Sequence, residues 1–206
     1  AASDVNAIPI RVRDKDGKLY CVSILAAEED KRELIVQASE DGGKTWARRP
    51  FIFNDEASGL TPPQTTTNMC AVAIDDRGVL HVTWGCYSYP SSYHQFYRNW
   101  DPATGTASDI FDISAWTGAT AGNRTAAMDI AVDQDNTIWL VAHAPTSWIE
   151  HLAHSAKPYA EGLEFVDVGN ISPTASAQTT RIAIDDVGRV HCAFYRNIGN
   201  GQFEHR

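Results

Sequence analysis

The sequence predicts an all-β chain built from repeated four-stranded antiparallel units, and three observations predict it. The first is a compact turn, Ser39-Glu40-Asp41-Gly42-Gly43-Lys44-Thr45-Trp46, which fits Ser-x-Asp-x-Gly-x-Thr-Trp without a mismatch. The second is a fourfold recurrence of an apolar run, an acidic turn and a second apolar run. The third is the lack of a helical hydrophobic period over ten or more residues.

The turn is legible from its chemistry. The Asp41 carboxylate can accept hydrogen bonds from backbone N–H groups that a tight turn leaves unpaired. Gly42 and Gly43 tolerate positive φ, Thr45 can tie the turn back on itself, and Trp46 opens the next strand with a large apolar surface.

The repeated units occupy 10–20, 73–81, 131–139 and 183–191. Their turn residues Gly17, Gly78, Asn136 and Gly188 are 61, 58 and 52 positions apart, and each accepts left-handed backbone. A period of roughly 50–60 residues with several short strands per unit reads as the blades of a β-propeller.

In the first unit the expected strands are A near 7–13, B near 18–25, C near 33–39 and D near 47–53. Later C strands are expected near 93–99 and 149–155, and D strands near 107–113 and 162–168. The blades then run approximately over 7–68, 69–126, 127–179 and an incomplete 180–206. About three and a half blades are therefore expected, as part of a six- or seven-bladed ring, because an unclosed ring leaves strand edges exposed. The alternatives are a compact four-bladed ring, or closure by a partner chain or a missing C-terminal segment.

Composition narrows the class. With 43% hydrophobic and 21% charged residues, the chain is of soluble globular type. No apolar run approaches the ~18–20 residues of a membrane-spanning helix, and membrane insertion is not expected. A formal charge of −9 without a Lys/Arg cluster argues against a nucleic-acid surface. No signal peptide is evident, and the absence of an initiator Met reads as processing or truncation. Cys21, Cys70, Cys86 and Cys192 form no Cys-x-x-Cys pair, so buried free thiols are expected rather than a zinc site. No metal or other cofactor is expected.

The Ser39–Trp46 turn resembles the Asp-box, or BNR repeat, of the sialidase-like β-propellers, with Ser39, Asp41, Gly43, Thr45 and Trp46 at the motif positions. The resemblance covers the fold along the chain and the motifs over about 7–53. In that family an Arg-Ile-Pro triplet precedes the first Asp-box and its arginine grips the substrate carboxylate. Here the triplet reads Ala7-Ile8-Pro9. The family's acid/base aspartate maps to Asp30, in the Glu28-Glu29-Asp30 loop. Arg124 and Arg181 stand as carboxylate-binding arginines, and the late Tyr/Glu nucleophile pair would lie beyond Arg206. Without the first arginine and that pair, sialidase turnover is not expected. The segment Ile74 to Trp84 is similar to a blade of the ulvan-lyase-type propellers, in which Tyr87, Tyr93, His94, Arg98 and His143 would supply base and cation.

Strand direction places the A–B and C–D turns at one end of each blade and the B–C and D–A loops at the other. The second set, at 26–32, 54–68, 85–92, 114–126, 142–148, 169–179 and 195–201, is the longer, where function concentrates. There Tyr87, Tyr89, Tyr93, His94, Arg124, Trp148, Tyr195 and Arg196 are candidates for ligand binding, and Asp30 and His143 for catalysis. Aromatic rings stack on sugar C–H faces and polar groups bond hydroxyls; the same rings can simply cap blade ends. The Asp pairs 75/76 and 185/186 read as turn caps, and His81 and His191, matched by Tyr20 and Trp139, as packing residues between blades.

The expected function is glycan recognition without sialidase activity. A glycoside hydrolase or polysaccharide lyase acting on an acidic glycan is the first alternative. A structural or adhesive module of a cell-surface or virion assembly is the second. The resemblance implies a glycan partner and an extracellular or surface location.

Overall fold

The structure is a computed structural model that describes residues 10–28, 31–53, 66–88, 92–113, 129–144, 149–159, 164–171, 177–199 and 202–205. Among these, fifteen strands form four antiparallel sheets, each ordered as in the chain. The first holds β1 (Ile10–Arg13), β2 (Leu19–Glu28), β3 (Lys31–Ser39) and β4 (Ala47–Ile52). The second holds β5 (Thr66–Ile74), β6 (Leu80–Ser88), β7 (Ser92–Trp100) and β8 (Phe111–Asp112). The third holds β9 (Asp129–Val132), β10 (Ile138–Ala144), β11 (Ile149–Ser155) and β12 (Phe165–Asn170). The fourth holds β13 (Ala177–Ile184), β14 (Val190–Gly199) and β15 (Gln202–His205). No helix among the described residues is long and apolar enough to cross a membrane.

Strands extend further into the second-to-third connections than polarity implies. The β2–β3 ladder continues through Ala26↔Arg32 to Glu28↔Lys31, and β6–β7 through Ser88↔Ser92. Once two strands are paired, each added pair satisfies backbone groups that would otherwise need water, so polar side chains alone do not end the ladder. The fourth strand of the second sheet is shorter than expected: only 111–112 pair, besides an isolated Trp100↔Ala107 bridge.

The four acidic turns share one hydrogen-bond pattern. Oδ1 of Asp14, Asp75, Asp133 and Asp185 accepts the N–H groups two and four residues on, at 2.8–3.2 Å. Gly17, Gly78 and Gly188 close the turn at φ 81–87°, and Asn136 at φ 63°. Asparagine is among the few non-glycine residues that reach this region readily. The first aspartate of each pair, Asp75 and Asp185, is thus a turn cap. At the Ser39–Trp46 turn, Asp41 accepts the Lys44 and Thr45 N–H groups at 2.9 Å, the Thr45 hydroxyl at 2.6 Å and the Ser39 hydroxyl at 2.7 Å. The Trp46 indole donates to the Gly43 carbonyl at 3.1 Å.

Alternation then builds three cores between consecutive sheets. Tyr20, Val22, Leu34 and Val36 of the first sheet meet Val72, Leu80, Val82 and Trp84 of the second. The opposite face of the second sheet, with Ala71 and Tyr97, meets Ile130, Ile138 and Leu140. Val141 and Leu152 meet Ile182 in a smaller third core. The first strands of successive sheets lie against one another in the order β1, β5, β9, β13. Tyr20, His81 and Trp139 hold one repeat position and each packs toward the next sheet. His191 holds it in the fourth sheet, yet its side chain is 60% exposed because no described sheet covers that face. Cys21, Cys70 and Cys192 are free; Cys21 is buried and the other two are partly so. Burial pushes the Cys70 thiol up to about 12, so it stays protonated.

A polar clamp joins the second and third sheets at the turn end. Tyr159, which follows β11, donates to Asp75 Oδ2 at 2.7 Å, lies edge-on to His81 at 4.5 Å and under the Arg77 guanidinium at 4.8 Å. His81 is fully buried with Nδ1 2.8 Å from the Tyr97 hydroxyl and Nε2 3.7 Å from Asp75 Oδ2. Burial pushes the imidazole down against the pull of Asp75. Burial alone would raise the Asp75 carboxyl, but its facing partners His81, Tyr159 and the Val79 N–H outweigh it and hold the group below the usual range.

Two outcomes follow from these bonds. The Asp41 carboxyl is held well below the usual range by the Thr45 hydroxyl and N–H, then Ser39 and Lys44. Its ionised form therefore stabilises the fold above the ordinary carboxylate pKa of ~3.9, and that stability is lost as pH falls through the lower folded value. Asp41→Asn should lower Tm at pH 7, with the deficit shrinking below about pH 4. Tyr159→Phe should cost about 1–2 kcal/mol in urea unfolding. A cycle with Asp75→Asn should show coupling of at least roughly 0.5 kcal/mol; additive losses would mean the clamp does not exist.

Candidate functional site

Antiparallel order sends the acidic turns to one end of the sheets and the second-to-third connections to the other. At that other end, Tyr87 pairs with Tyr93 and Cys86 with His94 in the second sheet. His143 pairs with Glu150 in the third, next to the end of its ladder. In the fourth, Tyr195 pairs with Gln178 and His205, and Arg196 with Ala177 and Glu204. Backbone register thus places six predicted positions at the same end of three consecutive sheets. Asp30, Tyr89, Arg124 and Trp148 lie outside the described residues. Arg98 is at the opposite end, where its Nε donates to the Ser108 carbonyl at 2.9 Å and Nη1 to the Phe53 carbonyl at 3.2 Å. It stitches the second sheet to the first, which removes it from the lyase-type set.

Two charged groups stand at mid-sheet on the first strands, where Asp129 pairs with Val141 and Arg181 with Ala193. Asp129 and Arg181 each stand four residues before the capping aspartate of their turn, Asp133 and Asp185. The same position holds Ile10 in the first sheet and Ala71 in the second. Asp129 opens β9, and its Oδ2 accepts the Ile182 N–H of β13 at 3.0 Å. This carboxyl therefore reaches across the gap between sheets and fixes β13 beside itself. Arg181, the neighbour of Ile182, has an exposed side chain.

Burial raises the Asp129 carboxyl, opposed first by the Ile182 N–H and then by the Arg181 charge. The group is thus less readily ionised than a surface aspartate, and a cation stands near it. Asp129 in turn adds to the upward push that burial gives the Cys192 thiol. Asp129 lies outside the turn motif that makes the other aspartates legible in the sequence. Its signal was a charge at a first-strand position that is apolar in the two preceding units.

The turn end has its own hollow, of about 350 Å³, lined by Val79, Asn99, Asp101, Thr106, Ser108 and Tyr159. Its polar groups have partners: Asp101 accepts the Ala103 N–H and the Thr104 hydroxyl within the turn, Asn99 donates to the Tyr97 hydroxyl, and Tyr159 donates to Asp75. Among the described residues, no three His, Cys, Asp or Glu side chains converge as a metal site requires.

No protein-family model and no curated protein sequence matches the chain. Solved structures do. An endo-arabinase from Bacteroides thetaiotaomicron aligns with a TM-score of 0.60 at 14% identity, covering 99% of this chain and 74% of that one. A Hadza microbial sialidase aligns at 0.63 and 13%, covering 97% of this chain and 46% of that one. A polysaccharide lyase, ulvan lyase, aligns at 0.56 and 11%, covering 99% and 57%. The chain therefore spans about half the length of the sialidase and the lyase. At this identity the likeness establishes the fold: all-β, with propeller-like antiparallel sheets.

The Asp129 environment sets a stability test. A carboxyl raised in the folded state destabilises the fold once it ionises, and the cost vanishes below the unfolded value of ~3.9, where both states are protonated. Asp129→Asn keeps an acceptor for the Ile182 N–H. It should raise Tm at pH 7, and the gain should disappear toward pH 3 in thermal melts.

Proposed function

We propose that this chain is a carbohydrate-recognising propeller of the sialidase-like BNR type, which binds a glycan at the loop end of its sheets without sialidase turnover. The observation that supports this best is the backbone register that places Tyr87, Tyr93, His94, His143, Tyr195 and Arg196 at one end of three consecutive sheets. Aromatic rings, amphiphilic imidazoles and a few charges are the mixture that sugar binding draws on. The fold adds weight, since it is shared with an arabinase, a sialidase and a polysaccharide lyase, the last also solved bound to a GlcA–Rha3S unit.

In this reading the Ser39–Trp46 turn is an Asp-box, with Ser39, Asp41, Gly43, Thr45 and Trp46 as its structural residues. The blades run over 7–68, 69–126, 127–179 and 180–206 of a six- or seven-bladed ring. Asp30, Tyr89, Arg124 and Trp148 belong to the same loop end. The protein acts outside the cell or at a surface, where polymeric glycans are met. Ala7-Ile8-Pro9, in place of the family's Arg-Ile-Pro, removes the bidentate group best suited to hold a sialic acid carboxylate.

A second reading is favoured by one observation, the raised Asp129 carboxyl. A glycoside hydrolase or lyase uses a carboxyl whose pKa is raised as proton donor, with His143 or Asp30 as the complementary group.

Both readings meet one experiment. Arabinan, ulvan and sialyllactose are titrated calorimetrically, and turnover is followed by reducing ends and by unsaturated product. Binding without turnover, weakened roughly five- to tenfold by Tyr93→Ala or Arg196→Ala, is the expected result. Turnover abolished by His143→Ala would install the enzyme in its place. A folded protein that binds no glycan would end both.

A further inference from the structure

We infer that Asp185, Arg189 and His191, on the uncovered face of the fourth sheet, form a docking site for a tyrosine carried by the third-to-fourth connection of an adjoining β-sheet. The inference is independent of the glycan reading, because these residues stand at the turn end, opposite the loops.

The molecule supplies the pattern itself, two sheets earlier. The turn of the second sheet brings an arginine and a histidine to the outer oxygen of its capping aspartate. Arg77 Nε donates to Asp75 Oδ2 at 3.2 Å, and His81 Nε2 lies 3.7 Å from the same atom. The turn of the fourth sheet assembles the same three groups. Arg189 Nε donates to Asp185 Oδ2 at 2.7 Å, and His191 Nε2 lies 3.0 Å from it. The arginine follows its aspartate by two residues in one turn and by four in the other, so the cluster recurs although the turn sequence does not. The other two turns differ: Asp133 Oδ2 accepts the Trp139 indole, and the first sheet has Tyr20 at the histidine position.

What separates the two clusters is their cover. Over the second sheet, Tyr159 of the β11–β12 connection donates its phenol to Asp75 Oδ2 at 2.7 Å, sets its ring edge-on to His81 and takes the Arg77 guanidinium on its face. Burial pushes this phenol up, so it keeps the proton that it donates. Under that cover the side chain of His81 is 0% exposed and that of Arg77 46%. On the fourth sheet the side chain of His191 is 60% exposed and that of Arg189 73%. Ala183 and Ala193 beside them are exposed, where their counterparts Ala73 and Thr83 are half-buried and buried. The imidazoles register the same difference. With a phenol on Oδ2, His81 stands back at 3.7 Å; at Asp185, His191 closes to 3.0 Å.

The chemistry suits one occupant. His191, with the Arg189 N–H next, holds the Asp185 carboxyl at about 2, so it is an ionised acceptor for a phenol O–H. The Arg189 guanidinium offers a cation to the face of the same ring. An aromatic ring without a hydroxyl would leave the carboxylate desolvated and without its bond. The tyrosine therefore takes the Oδ2 position that His191 now faces and lies between imidazole and guanidinium, as Tyr159 does one junction earlier.

The test titrates the isotope-labelled chain with a capped peptide of residues 155–159, and with the same peptide carrying Tyr159→Phe, following amide and imidazole signals by NMR. The tyrosine peptide should shift the signals of 187–191 with a Kd of about 1–10 mM. The signals of Asp75 and His81, already covered by Tyr159, should stay in place. The phenylalanine peptide should bind roughly tenfold more weakly. Asp185→Asn keeps an oxygen for the turn N–H groups but presents an amide donor to the phenol, and should weaken the tyrosine peptide roughly tenfold. Arg189→Gln should weaken it roughly threefold. Equal affinity for the two peptides would make the face an apolar contact and overturn the inference. Undiminished binding by Asp185→Asn, or no shift at 187–191 in the folded chain, overturns it as well.

Discussion

Everything regular in this molecule rests on one local interaction, the capture of two backbone N–H groups by an aspartate oxygen at the turn between the first two strands of a sheet. A tight hairpin leaves donors that the ladder cannot reach, and an unpaired donor near the core costs about as much as a lost hydrogen bond. Asp14, Asp75, Asp133 and Asp185 each meet that need with Oδ1. In the last three, Oδ2 is left to face a ring nitrogen six residues on. The Trp139 indole donates to Asp133 at 2.9 Å, His191 Nε2 lies 3.0 Å from Asp185 Oδ2, and His81 Nε2 lies 3.7 Å from Asp75 Oδ2. His191, with the Arg189 N–H next, draws the Asp185 carboxyl down to about 2. Register follows from the turn, and register decides which side chains face which neighbour.

The consequence is a division of labour between the two faces of each sheet. Leu80, Ile138 and Val190, directly before the aromatic position, face the preceding sheet, while His81 and Trp139 face the next one. The two sides differ in polarity. The core between the first and second sheets is aliphatic and aromatic, with Phe51 stacked on Trp100 at 4.9 Å. The second–third junction adds the buried network of Asp75, His81, Tyr97 and Tyr159. Such a network holds only when all its members are present, so it fixes how two sheets sit more sharply than apolar packing alone.

Sequence disclosed what is local and hid what is not. The turns, their period and the four-strand order were legible because an aspartate, a glycine and an apolar run sit within a dozen residues of one another. The ends of strands were less so: β2, β3, β6 and β7 continue through polar residues that read as loop, since ladder bonds do not depend on side-chain polarity. Tyr159 was invisible as a clamp because its partner Asp75 is 84 positions away. Asp129 was half legible. Its charge stands out once the units are aligned, but its bond to Ile182 belongs to the packing of two sheets, which no single unit encodes. His191 shows the converse: its counterparts Tyr20, His81 and Trp139 each face a neighbouring sheet, while its own side chain is open in the described fourth sheet.

The self-sufficiency of the acidic turn bears on how such a chain arises. A segment that satisfies its own turn donors brings no debt to its neighbours, so a coding block of about fifty to sixty residues can be duplicated in tandem and each copy will still bend correctly. Selection then acts on the faces and the rims, where Tyr20, His81, Trp139 and His191 have already drifted apart while the four aspartates have stayed the same. The turn is what makes the repeat heritable as a unit, and it leaves the opposite end free to change its chemistry.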